Sequence, residues 1–190
     1  MKLLKYFHSK PSAYPPLLFV HGAWHGAWCW DEFFMPYLHE AGFDVFALDL
    51  RGHGKNPTKQ ILNFVKASDY VSDVRIAVEQ IGTDPVLIGH SMGGFIVQKY
   101  LQQYPAAATI LVAPMPLSGV WEASWGYFRQ FPGSFFRSLL SLSMFKLIDT
   151  PDKSHWAFFS ANMPEEQVFK YFSKVQKESF RVYLQMFFPG

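Results

Sequence analysis

The sequence predicts an α/β protein: a mostly parallel sheet with flanking helices on both faces, followed by a purely helical segment. Three observations carry that prediction. Short apolar runs at residues 17–20 and 85–88, with further strand-like stretches at 44–50 and 109–113, recur along the chain, as a mostly buried parallel sheet requires. The stretches between them place apolar residues at helical spacing. After Pro114 no such run appears, and aromatic residues crowd the chain instead.

In chain order, residues 3–7 are expected to form a short first strand. Leu17-Leu18-Phe19-Val20, entered through Pro15-Pro16, is a buried parallel strand that opens into His21-Gly22-Ala23-Trp24-His25-Gly26. Trp30, Phe33, Phe34, Tyr37, Leu38 and Ala41 recur at helical spacing, and Gly42 ends that helix. Pro36 fits there only in the first turn or at a bend. Residues 44–50 read as the next strand, followed by the loop Arg51-Gly52-His53-Gly54. Ser68 is the expected N-cap of a helix carrying Val71, Val74, Val78 and Ile81 on one face, with Gly82 past its end. A strand at 85–88 leads into a helix over 92–104, which Pro105 stops, and then into a strand at 109–113. Short helices are expected over 133–146, 165–175 and 179–187. The chain divides accordingly into a core, 1–114, and a helical segment, 115–190.

Size and composition bound the function. A chain of 190 residues has room for one real core, and 49% hydrophobic against 17% charged residues describes a globular protein. A net charge of +2, with lysines and arginines scattered, offers no nucleic-acid face. The lone Cys29 excludes an intrachain disulfide, reads as a small buried hydrophobe and fits a reducing cytoplasm. No run approaches the ~18 apolar residues of a membrane span, and the stretch after Met1 is too short for a signal peptide. With no metal-ligand spacing, no Walker A lysine and no GxGxxG after a strand, neither a metal nor a cofactor is expected.

Chemistry concentrates at Gly89-His90-Ser91-Met92-Gly93, a G-x-S-x-G directly after the 85–88 strand. A serine at the tip of such a turn takes a strained backbone conformation, and the glycines two residues either side let the neighbouring chain pass. Two further motifs sit at strand ends: His21-Gly22, and Asp49-Leu50-Arg51-Gly52-His53-Gly54. Together and in this order, the three motifs resemble those of the α/β-hydrolase superfamily, in its branch of single-domain serine hydrolases with a helical cap. The resemblance covers residues 17–113 and extends to the cap only in kind. It implies that Ser91 is the nucleophile and that the backbone N–H groups of Ala23 and Met92 form the oxyanion hole, aided by the helix starting near Met92. Trp24, His25, Trp121 and Trp125 are expected to line an apolar acyl pocket. It also implies that His21 shapes the oxyanion loop and that Asp49 organises the loop after it. His53 is expected near the site mouth, and His90 is expected to point away from the nucleophile's side chain.

The order in this family is Ser, then Asp or Glu, then His. Ala113-Pro114-Met115-Pro116 offers no acid, and no strand run follows. The acid and base are therefore expected beyond Gly190, the chain is expected to be a fragment of a longer hydrolase, and the 109–113 strand is expected to form an open apolar edge. The chemistry that the resemblance implies is hydrolysis of small apolar esters through an acyl-enzyme. The 21–28 stretch is also similar to that of methylesterases and hydroxynitrile lyases, which leaves cofactor-free lyase or acyl-transfer chemistry open. A non-catalytic pseudo-hydrolase is the third reading.

Overall fold

The computed structural model describes residues 2–10, 12–116 and 119–188. Met1 and Gly190, which bound the expected division of the chain, lie outside the described residues. Among the described residues, five strands form one sheet in the order β1-β3-β2-β4-β5: β1 (Leu3–Tyr6), β2 (Leu17–Val20), β3 (Val45–Leu48), β4 (Val86–His90) and β5 (Ala108–Val112). β1 runs antiparallel to β3, and every other pairing is parallel. The register aligns Val20 with Leu48 on one side and with Gly89 on the other. The loops after β2, β3 and β4 therefore leave the sheet side by side at its carboxyl edge, where open α/β sheets bind ligands.

Side-chain alternation explains how the sheet is covered on two faces. Leu18, Val20, Leu48 and Leu87 join one buried cluster with Val71 and Val74 of α3 (Ala67–Ile81) and Phe95 and Ile96 of α4 (Met92–Leu101). Leu17, Phe19, Val45, Ala47 and Ile88 point the other way. They pack with Trp30 of α1 (Trp28–Asp31) and Met35 of α2 (Phe34–Glu40). β5 is the outer strand, and its Ile110, Leu111 and Val112 are exposed.

Several boundaries differ from those the sequence suggests. The expected helix around residues 30–41 is split in two, and Pro36 sits in the first turn of α2, where a missing N–H costs nothing. α3 begins one residue before Ser68. Its flanking residue is Lys66, whose N–H donates to the Asp69 carboxylate at 2.8 Å. α4 ends at Leu101, four residues ahead of Pro105.

Beyond residue 116 the structure adds α5 (Trp121–Gln130), α6 (Pro132–Leu140), α7 (Pro151–Phe158), α8 (Glu165–Phe172) and α9 (Phe180–Phe187). The helix expected over 133–146 is α6 followed by a separate 3-10 turn, Met144–Leu147. α5 and α7 were not foreseen. For α7 a signal exists: Thr150 caps it, accepting the Lys153 N–H at 3.4 Å, and Pro151 is its first residue.

α4 can start where it does because Gly93 has no side chain. A Cβ there would lie 2.4 Å from the Val20 carbonyl oxygen and 2.5 Å from that of His21. Both are backbone atoms at the end of the central strand, which cannot swing aside. Gly93→Ala is expected to lower stability by about 3 kcal/mol, read as a fall in the urea midpoint. A midpoint equal to that of the unmodified chain would contradict this close approach.

Candidate active site

Ser91 joins β4 to α4 with φ 52° and ψ −119°. A non-glycine residue held at positive φ costs about 1–3 kcal/mol and persists only where the surroundings over-determine it. Here they do. The Ser91 N–H donates to the Val112 carbonyl at 3.1 Å, and the Ser91 carbonyl accepts the N–H groups of Met115 at 3.0 Å and Phe95 at 3.2 Å. β5, the segment after it and the helix thus fix the turn.

The 21–27 loop lies beside it. His21 is fully buried with both ring nitrogens engaged: Nδ1 donates to the Gly22 carbonyl at 2.8 Å, and Nε2 accepts the Leu50 N–H at 3.1 Å. That pattern fits only the neutral ring, and burial, followed by the neighbouring His53, pushes the pKa down to about 3. The Gly22 carbonyl also accepts the His25 N–H at 3.3 Å. Because a trans peptide is planar, pinning the Gly22 oxygen turns the Ala23 N–H to the opposite side. Ala23 and Met92 both line the cavity with Ser91, and among the described residues neither N–H has an acceptor.

Asp49 joins this loop to the next one. Its Oδ1 accepts the Ala27 N–H at 2.7 Å and its Oδ2 accepts the Lys55 N–H at 2.8 Å. Gly54, at φ +49°, passes so close that a Cβ would sit 2.2 Å from Asp49 Oδ1. Arg51 anchors the same loop to α3 by donating from its backbone N–H and its guanidinium to Asp73, at 2.9 and 2.8 Å.

The cavity has a volume of about 380 Å³, within the range of small-molecule sites. Its roof comes from the helical segment, through residues such as Tyr127, Leu147, Ile148 and Phe158. Trp24 and His25 line it. Trp121 and Trp125 do not: they lie 54% and 61% exposed on the outer face of α5. The same region turns Val120, Ala123, Ser124 and Tyr127 inward, so the difference is one of helical phase, which composition does not reveal.

The ring of His90, also at the cavity wall, packs against Gly22 and edge-on to Trp30. His25 donates from Nδ1 to the Ala23 carbonyl at 2.7 Å, and burial lowers its pKa to about 4. Among the described residues no His, Asp or Glu side chain is hydrogen-bonded to Ser91 Oγ.

One buried group has no counterpart in the sequence reading. Glu178, between α8 and α9, is 3% exposed and reaches the cavity wall. Its Oε1 accepts the Tyr70 hydroxyl at 2.7 Å and the Ser179 N–H at 2.6 Å, while its Oε2 lies 3.1 Å from His53 Nε2. The His53 N–H points off that line, so the contact is an ion pair rather than a straight hydrogen bond. Burial alone would push His53 down and Glu178 up. Their mutual attraction outweighs it, so His53 titrates above its ordinary 6.5 and Glu178 below its ordinary 4.5. No short motif marks Glu178, since its side-chain partners, His53 and Tyr70, lie more than a hundred residues earlier in the chain.

The pair makes stability depend on pH with a defined sign. The His53 contribution is full below pH 6.5 and is lost as pH rises through its raised pKa. The Glu178 contribution is full above pH 4.5 and is lost as pH falls through its lowered pKa. His53→Gln leaves a buried carboxylate uncompensated and is expected to cost about 3–5 kcal/mol. In urea titrations the difference from the unmodified chain is expected to be largest between pH 4.5 and 6.5 and to shrink on either side. A difference that does not vary with pH would mean that the pair is not charged.

A sequence profile of the alpha/beta hydrolase family matches residues 17–186, which takes in the sheet from β2 onward, the serine turn and most of α9. Esterase PIR7B of Oryza sativa subsp. japonica is 36% identical over 107 residues, 54% of this chain and 40% of that protein. Norfluorocurarine synthase 1 of Strychnos nux-vomica is 38% identical over 95 residues, 49% of this chain and 35% of that protein. The chain thus matches less than half the length of these relatives. The solved structure of the esterase EaEST from Exiguobacterium antarcticum superposes on 97% of this chain and 67% of its own, with a TM-score of 0.68 and 17% sequence identity, a likeness of fold. With a family profile that spans the turn, the loop beside it and the helices over the cavity, the chain belongs to the alpha/beta hydrolase family.

Proposed function

We propose that the cavity is the nucleophile and oxyanion part of a serine esterase site, in a core of residues 1–114 under a helical cap of residues 115–190. The observation that carries this reading is that Ser91, at its strained turn, lines one cavity together with Ala23 and Met92, whose N–H groups have no acceptor among the described residues. Ser91 Oγ attacks the ester carbonyl, and the carbonyl oxygen takes up negative charge against the two N–H groups. The alcohol leaves, and water then releases the acid from the acyl-serine. A donor of this kind is worth about 2.7–4 kcal/mol of barrier where it has been removed in other enzymes. The apolar roof favours an uncharged acyl or aryl group. We assign the general base and its acid to a part of the site outside the described residues, because His21 is engaged at both nitrogens and, among the described residues, no histidine is bonded to Ser91 Oγ.

The likeness to a protein named as a synthase, norfluorocurarine synthase 1, favours keeping a second reading, cofactor-free lyase or acyl-transfer chemistry at the same site. Product analysis separates the two, because ester hydrolysis yields a carboxylic acid.

With no base bonded to Ser91 Oγ among the described residues, the serine retains the part of catalysis that the oxyanion hole supplies, about 10³–10⁴-fold over water in proteases that lack a triad member. An alkyl fluorophosphonate is therefore expected to label Ser91 slowly, over hours, with the mass increase absent from Ser91→Ala. A folded chain that takes no label at Ser91 at pH 8 would overturn the proposal.

A further inference from the structure

The segment 176–178, which leads into α9, grips the 21–27 loop at several points. The backbone N–H of Gln176 donates to the Trp24 carbonyl at 2.9 Å. Its side-chain Nε2 donates to the His25 carbonyl at 3.0 Å, and its Oε1 accepts the Gly54 N–H at 3.2 Å. Two residues on, Glu178 Oε2 accepts the Trp24 N–H at 3.4 Å. Both backbone polar groups of Trp24 are therefore held by one tripeptide. Trp24 itself sits at φ 63°, a left-handed conformation for which a tryptophan has no preference. The loop does not hold that conformation by its own sequence, since the bonds that satisfy Trp24 come from more than 150 residues away.

The consequence falls on the neighbouring residue. The Ala23–Trp24 peptide plane is fixed on its N–H side by Glu178 and on its carbonyl side by His25 Nδ1, 2.7 Å from the Ala23 oxygen. That plane and the Gly22 carbonyl together set the direction of the Ala23 N–H. Glu178 is held rigidly enough to act as a reference point. It is buried, and Tyr70, Ser179 and His53 contact it from three further directions.

We infer that Glu178 is a positioning residue, which together with Gln176 holds the 21–27 loop from the helical segment and thereby aims the Ala23 N–H. The inference rests on reading Ala23 as an oxyanion donor. It makes the donor geometry conditional on the seating of the segment between α8 and α9. A loosely seated segment would leave the cavity able to bind an apolar ligand but poorly able to stabilise a tetrahedral adduct.

The test compares the two capacities in the full chain. Glu178→Gln keeps the side-chain volume but turns one acceptor oxygen into a donor, so the contacts on one side of the group are lost. The rate of Ser91 phosphonylation by an alkyl fluorophosphonate is expected to fall at least about tenfold. Affinity for n-octyl phenyl ether, which has no carbonyl, is expected to stay within about twofold. A purely structural role would move both together. A second measurement needs no variant: in hydrogen exchange of the unmodified chain, the Trp24 amide is expected to be protected at least about 100-fold over an open loop amide. Labelling of Glu178→Gln within about twofold of the unmodified rate, or an unprotected Trp24 amide, would overturn the inference and leave the serine reading standing. A folded, unmodified chain that takes no label would contradict the serine reading and the inference with it.

Discussion

The turn at Ser91 is the constraint on which the rest of the molecule depends. A serine at φ 52° and ψ −119° is not a conformation that local sequence preferences supply. It requires β4 to end at His90, α4 to begin at Met92, and Gly93 to lie against the carbonyl groups of Val20 and His21 with no atom to spare. The parallel register then does the placing. With Val20 opposite Gly89, the loop after the central strand emerges beside the serine. The site is thus a consequence of strand register and of one tight helix-on-strand contact.

A second tier of interactions is polar and buried, and it joins loops rather than strands. His21 couples the 21–27 loop to the end of β3, Asp49 couples that loop to the 52–56 loop, and Glu178 couples both to the helical segment. Groups of this kind add modest net stability while their partners are present and cost a great deal when one partner is removed. Their effect is to make a single arrangement of three loops much better than its neighbours. On the proposed esterase reading, backbone N–H groups that face a developing charge need that selectivity more than they need stability. His21 shows the logic in one side chain: burial keeps its ring neutral, and neutrality lets it donate at one nitrogen and accept at the other.

Legibility in the sequence follows the range of the interaction. The 17–20 and 85–88 runs read correctly as strands, because burial on both faces writes itself as continuous apolar residues. The serine turn was legible because the residues that mark it, Gly89 to Gly93, are consecutive, even though the contacts that hold it come from further away. His21 and Asp49 were legible only through resemblance, since their bonding partners follow from tertiary closure. Trp121 and Trp125 were expected at the cavity on composition, whereas α5 turns them outward. That outcome is set by helical phase, and a ten-residue helix rich in aromatics on several faces leaves the phase undetermined. Glu178 was invisible for a stronger reason. A glutamate beside an N-capping serine is the commonplace start of a helix, and nothing nearby announces that His53 and Tyr70 will close over it.

The central claim is that the Ala23 and Met92 N–H groups converge on one point above Ser91. The measurement that tests it most directly is a crystal structure of the chain after reaction with an alkyl fluorophosphonate. The phosphoryl oxygen is predicted to lie about 2.7–3.1 Å from both nitrogens, the range that oxyanion donors require. A phosphoryl oxygen turned to solvent, with either nitrogen unengaged, would contradict the claim.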